Sequence, residues 1–133
     1  MSDISSSIPP APSVCVLACS GCSAAGELAD LTARRLQKMG LARMSCLAGV
    51  GGRVNSILNT IQKAPRLLVF DGCPLECGAN SLRLAGITGF GNFKLHEVGV
   101  RKQDAAAVSE ANLVRLTEAA GTYIRKAFPV EMP

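Results

Sequence analysis

The sequence predicts an α/β fold: a small three-layer, Rossmann-like or flavodoxin-like parallel sheet of about four strands in the order 2-1-3-4, with helices on both faces. Three observations predict it. The apolar runs Val14-Cys15-Val16-Leu17-Ala18 and Leu67-Leu68-Val69-Phe70 read as strands covered on both faces. Segments of helical apolar spacing alternate with them, and right-handed crossovers then make the sheet parallel. Five of the six cysteines fall just after strand-like segments, where the loops of a parallel sheet converge on one edge.

Taken in order, residues 1–13 are a polar, Pro- and Ser-rich flexible tail, residues 14–128 one domain, and residues 129–133 a C-terminal tail. Val14 to Ala18 is the first, central strand. Ser23 caps a helix from Ala24 to Met39, with Leu28, Leu31, Leu36 and Met39 on one face and Gly40 as the stop. Leu41 to Leu47 is the second strand. Gly49-Val50-Gly51-Gly52 is a turn, followed by a short helix from Val54 to Lys63 that turns Ile57, Leu58 and Ile61 inward, with Pro65 beyond its end. Arg66 to Phe70 is the third strand. Pro74, whose missing N–H suits the first helical position, opens a helix that stops near Gly86. Phe93 to Val100 is a fourth, edge strand. The last helix, Ala105 to Phe128, lines up Leu113, Leu116, Ala120, Ile124 and Phe128.

Composition narrows the function classes. At 133 residues, 48% hydrophobic and 18% charged, the chain has apolar material for a core without disulfide staples. The net charge of +4 is modest, and the basic pairs Arg34-Arg35, Arg101-Lys102 and Arg125-Lys126 are scattered. With no Trp, one Tyr and four Phe there is little for bases to stack on, so nucleic acid is not an expected partner. Arg43 and Arg53 interrupt the longest weakly polar region, so no membrane span is expected. The N-terminus carries Asp3 and no basic stretch ahead of an apolar one, unlike a secretory signal. The expected location is the cytoplasm, where clustered thiols bind metal or do redox chemistry more often than they form structural bridges.

Cys19-Ser20-Gly21-Cys22, Cys46 and Cys73-Pro74-Leu75-Glu76-Cys77 then define a thiolate site. If Pro74 is the first helical residue, Cys73 is the N-cap and its sulfur faces free N–H groups and the positive helix end, which favours thiolate. Cys73 and Cys77 would share one helix face, about 5–6 Å apart at Cβ, close enough for one metal ion to bridge. Cys19 and Cys22 form a C-x-x-C, a spacing shared by zinc, iron–sulfur and dithiol sites. Cys46 adds a fifth sulfur where tetrahedral zinc takes four, and Cys22 is the one taken as spare, an alternate ligand. Asp71, in the Asp71-Gly72 turn, would orient the loop that carries Cys73 through backbone N–H bonds. Cys15 lies inside the first strand as a small buried hydrophobe. His96, the single histidine, sits within the edge strand and is not expected to be a ligand. Gly49 to Arg53 is a plain turn more readily than an anion cradle, since it lacks a Walker lysine. Six residues, not five, separate Cys46 from Arg53, which misfits a cysteine phosphatase loop.

The segments Ala18-Cys19-Ser20-Gly21, Met44-Ser45-Cys46-Leu47-Ala48 with Gly51-Gly52, and Asp71-Gly72-Cys73-Pro74 with Cys77 resemble the DGC-domain family from Cys15 to about Lys102. The resemblance implies a small zinc-binding protein with four chelating cysteines, here Cys19, Cys46, Cys73 and Cys77. It does not by itself assign a biochemical activity, so whether the protein is an enzyme is left open. The expected function is therefore Zn²⁺ binding, as a sensor or a metal-stabilised interaction module. Two alternatives stand beside it. One is thiol redox or sulfur transfer without a cofactor, with Cys73 attacking and Cys77, Cys19 or Cys22 resolving. The other is an iron–sulfur cluster.

Overall fold

A computed structural model describes residues 13–128. Its strands are β1 (Val14–Ala18), β2 (Arg43–Met44), β3 (Arg66–Asp71) and β4 (Gly91–Lys94). Its helices are α1 (Ala24–Lys38), α2 (Leu47–Gly51), α3 (Asn55–Lys63), α4 (Cys77–Leu84) and α5 (Glu110–Ala127). All strand pairs are parallel and the order is β2-β1-β3-β4, as the sequence predicts. Of the expected tails at 1–13 and 129–133 all but Ser13 lie outside the described residues; Ser13 Oγ accepts from Arg66 Nη1 at 2.8 Å.

Side-chain alternation along the two central strands builds the layers. Val14, Val16, Leu68 and Phe70 face α1 and α5, where they meet Leu28, Leu36, Leu116 and Ala120. Cys15, Leu17, Leu67 and Val69 face the other way, onto Val50, Ile61, Ala79 and Leu82 of α2, α3 and α4. Most of these side chains are fully buried, and each large one contributes about 1.5–3 kcal/mol through the apolar area it removes from water. Phe93 of β4 extends the first core by packing on Phe70 and Tyr123, with ring centroids 5.2 and 5.6 Å apart. On the surface, Arg35 of α1 reaches Glu110 of α5 with two hydrogen bonds of 2.7 and 3.0 Å.

Several elements differ from their expected bounds. The second strand is two residues long rather than Leu41 to Leu47, because the chain turns into α2 at Cys46. The predicted Gly-rich turn is thus largely that helix. Arg53 closes it in a left-handed conformation and donates to the carbonyls of Val50 and Leu84, so its guanidinium caps helix ends and makes no anion cradle. Met39 is 57% exposed, since it lies past the last turn of α1, and the buried stripe there runs through Ala25, Leu28, Ala29, Ala33 and Leu36. β4 ends at Lys94, level with the last residue of β3, and residues Leu95–Val98 coil into a 3-10 turn that carries half-buried His96. α5 starts at Glu110 because Ser109 caps it through the N–H of Asn112, leaving Ala105–Ala107 as a separate turn.

Candidate thiolate site

The carboxyl ends of β1 and β3 are joined beyond the strands themselves. The N–H of Cys19 donates to the carbonyl of Phe70 at 3.0 Å, and the N–H of Gly72 donates to Cys19 Sγ at 3.3 Å. Gly72 in turn lies against the first turn of α1: a Cβ there would come within 2.5 Å of the Ala25 carbonyl, so a larger residue would push the two loops apart. That turn is held by Ser23 Oγ, which accepts from the N–H of Gly26, and by the carbonyl of Lys102, which accepts from the N–H of Ala25. The loop after β1 and the loop after β3 are therefore fixed to each other and to α1.

Between them lies a small cavity of ≈ 90 Å³ lined by Cys19, Cys22, Cys73 and Cys77, with Asp71 and Leu75 among its other walls. Cys46 is not in it. Cys46 and Cys77 instead line a neighbouring cleft of ≈ 580 Å³, with Arg34, Ser45 and Ser81. Cys77 belongs to both spaces. Cys19 and Cys73 are half-buried, while Cys22, Cys46 and Cys77 are exposed. Burial pushes the Cys19 thiol above its ordinary range; the bond from Gly72 N–H opposes that, and the nearby charges of Asp71, Cys73 and Cys77 add to it. Cys15 is buried in β1, as expected, and its thiol is also raised by burial, with Arg43 opposing.

The Cys73–Cys77 segment departs from expectation. α4 begins at Cys77, not Pro74. Residues 73–76 form a turn closed by the N–H of Glu76 on the carbonyl of Cys73, with Pro74 in the second turn position, which suits proline as well as a helix start does. Glu76 then adopts a left-handed conformation, φ 53° and ψ 47°, that interrupts any continuous helix. So Cys73 is no helix cap, Cys73 and Cys77 do not share a helix face, and the basis for Cys73 as the attacking thiolate is gone. The thiol that caps a helix is Cys46, whose Sγ accepts from the N–H of Gly49 at 3.3 Å. Gly49, Gly51 and Gly52 hid this helix by reading as a turn.

The start of α4 is capped from β3 instead. Asp71, 1% exposed, accepts from the N–H of Gly78 at 2.8 Å through Oδ1 and from that of Ala79 at 3.1 Å through Oδ2. The carboxylate thus meets the positive end of the helix, as an N-cap side chain does. A Cβ on residue 78 would lie 2.8 Å from Asp71 Oδ1 and 2.4 Å from Val69 Cγ2, so Gly78 permits the approach. Asn92 completes the cap by donating from Nδ2 to Asp71 Oδ2 at 3.0 Å. Sequence reasoning missed Asn92, which nothing in its neighbourhood marks. His96 does not line the thiol cavity.

Chemically the four thiols of the cavity suit a soft divalent ion, while Asp71 is taken up by its own hydrogen bonds and Lys102 also lines the wall. Yet among the described residues no three Cys, His, Asp or Glu side chains stand grouped to hold an ion. No helix among the described residues is long and apolar enough to cross a membrane.

The fold and this edge together define an α/β parallel-sheet protein with cysteines gathered over its carboxyl ends. The chain belongs to the DGC domain family, whose model matches residues 15–120. It is 39% identical over 95 residues to a Pseudomonas aeruginosa protein, the anaerobic and virulence modulator AnvM; the match covers 71% of this chain and 72% of that relative. No solved structure matches the chain.

Proposed function

We propose that this protein binds Zn²⁺ through Cys19, Cys46, Cys73 and Cys77, with Cys22 as the alternate fourth ligand, and that it works in the reducing cytoplasm as a metal-dependent modulator. One observation carries the reading: Cys19, Cys22, Cys73 and Cys77, from two loops far apart in sequence, line one small cavity at the carboxyl edge of the sheet. Cys46 adjoins it across Cys77, which both spaces share. Cys22 has the advantage of lying in the cavity already, whereas Cys46 must approach through the cleft. Four thiolates complete the shell of zinc and leave no place for water, so metal-driven hydrolysis is not expected. The relative's name, an anaerobic and virulence modulator, supports a regulatory role. The sheet has its own core, so metal removal should loosen the thiol edge without unfolding the domain.

Metal analysis of protein purified without oxygen tests this, alongside single Cys→Ser variants. One zinc per chain, lost when Cys19, Cys73 or Cys77 is replaced, is the expected result; the comparison of Cys46→Ser with Cys22→Ser names the fourth ligand. Iron with acid-labile sulfide would replace zinc with a cluster. Metal-free protein whose thiols oxidise in pairs would refute the reading and leave dithiol chemistry.

A further inference from the structure

β4 carries no cysteine and lies at the far edge of the sheet, yet it touches both ends of the loop that bears Cys73 and Cys77. Asn92 and Lys94 are two residues apart, so they lie on one face of the strand, in register with Val69 and Asp71 of β3. Asn92 Nδ2 donates to the carbonyl of Val69 at 3.1 Å and to Asp71 Oδ2 at 3.0 Å. That fixes the carboxylate that caps α4 at Gly78 and Ala79. Lys94 Nζ lies 3.6 Å from Glu76 Oε2, both side chains being about a quarter exposed at 28% and 24%. Glu76 is the left-handed residue immediately before Cys77. A non-glycine residue in that conformation is strained, so the surroundings must hold it. Asn92 is itself anchored, since its backbone N–H donates to the Tyr123 hydroxyl at 3.0 Å.

We infer that Asn92 and Lys94 are positioning residues for the thiol site: β4 grips the 73–77 loop at Asp71 and at Glu76, and thereby sets where Cys73 and Cys77 stand. Its effect on metal affinity rests on the zinc reading, but its effect on the metal-free thiols does not. Neither residue touches a sulfur in this scheme. Each acts through a carboxylate that flanks the loop, one before Cys73 and one just before Cys77.

The test uses the full chain in two measurements. In metal-free, reduced protein, iodoacetamide alkylation is followed at each cysteine by peptide mass mapping. In the second, Co²⁺ is titrated and its sulfur charge-transfer absorbance recorded. Asn92→Ala and Lys94→Glu should each speed alkylation of Cys73 and Cys77 several-fold while leaving Cys22 and Cys46 at the wild-type rate. They should also weaken Co²⁺ binding several-fold, less than the ~10–100-fold typical of removing a direct partner of a ligand. The charge swap Glu76→Lys with Lys94→Glu should restore both readouts, which a merely structural role for Lys94 would not do. Should Asn92→Ala fail to fold, Lys94→Glu and the swap carry the test alone. Equal acceleration at every cysteine, no change in either single variant, or a swap no better than Lys94→Glu would overturn the proposal. Wild-type protein that binds no Co²⁺ would refute the zinc reading, with the alkylation pattern still deciding for or against the grip of β4.

Discussion

Replacing Asp71 tests the site's scaffold most directly. Its carboxylate is 1% exposed and accepts three hydrogen bonds, from Gly78 N–H, Ala79 N–H and Asn92 Nδ2. Asp71→Ala leaves the two buried helix donors without partners, at about 1–3 kcal/mol each, while Asn92 keeps its bond to Val69. Some relief comes from fraying of the first helical turn, so the expected loss is about 3 kcal/mol, above the ~2 kcal/mol upper end for a deleted cap because both buried donors lose their partner. Against a typical total of about 5–15 kcal/mol the variant still folds. Asp71→Asn keeps one acceptor for Gly78 but turns an amide donor toward Ala79 N–H and the Asn92 amide, and should cost about 2 kcal/mol. It also removes a negative charge that helps raise the Cys19 thiol, so Cys19 should ionise at lower pH, though still above its ordinary range because burial is the larger cause. Urea unfolding gives the first quantity, and the pH midpoint of Cys19 alkylation the second. An Asp71→Ala variant within about 0.5 kcal/mol of wild type would refute the capping argument. A Cys19 midpoint that stays put or rises in Asp71→Asn would refute the electrostatic one.

Two further perturbations follow from the same geometry. Cys15 and Cys19 both have folded pKa values raised by burial, so the folded state keeps protons that the unfolded chain releases. Their contribution to stability is full below the ordinary thiol value, about 8.5, and is lost as pH rises from there through the raised folded values; the urea midpoint of metal-free protein should fall from neutral pH to pH ~10. Gly72→Ala puts a methyl against the backbone of Ala25 and should destabilise by about 1–3 kcal/mol, with Cys19 alkylated faster as the two loops separate.

Which parts of the molecule were legible in the sequence follows from how local their causes are. β1, β3 and α1 are specified by their own residues: continuous apolar runs for the strands, and Ser23 with a helical stripe for α1. Their order in the sheet was read from the precedent of doubly wound folds and not from any residue. The 73–77 segment was misread because its causes are distant. Proline at position 74 serves a turn and a helix start equally well. What decides between them is Asp71, which caps the helix at Gly78 and Ala79, and Lys94, which reaches the left-handed Glu76. At Cys46, glycines that signal a turn in isolation are carried into α2 by the thiol cap and by packing of Val50 in the core. The gathering of Cys19, Cys73 and Cys77 at one edge was legible, since topology alone brings those loops together.

Tyr123 gives the molecule a built-in optical reporter. It is the single tyrosine of a chain without tryptophan, so ultraviolet emission from the native protein comes from one known place. Its ring packs on Phe93 and its hydroxyl holds the backbone of Asn92. The emitter, carried by α5, therefore sits against the strand that grips the thiol loop. Changes in its intensity or anisotropy would register movement of β4 without any label, and without attaching a reagent to the cysteines under study.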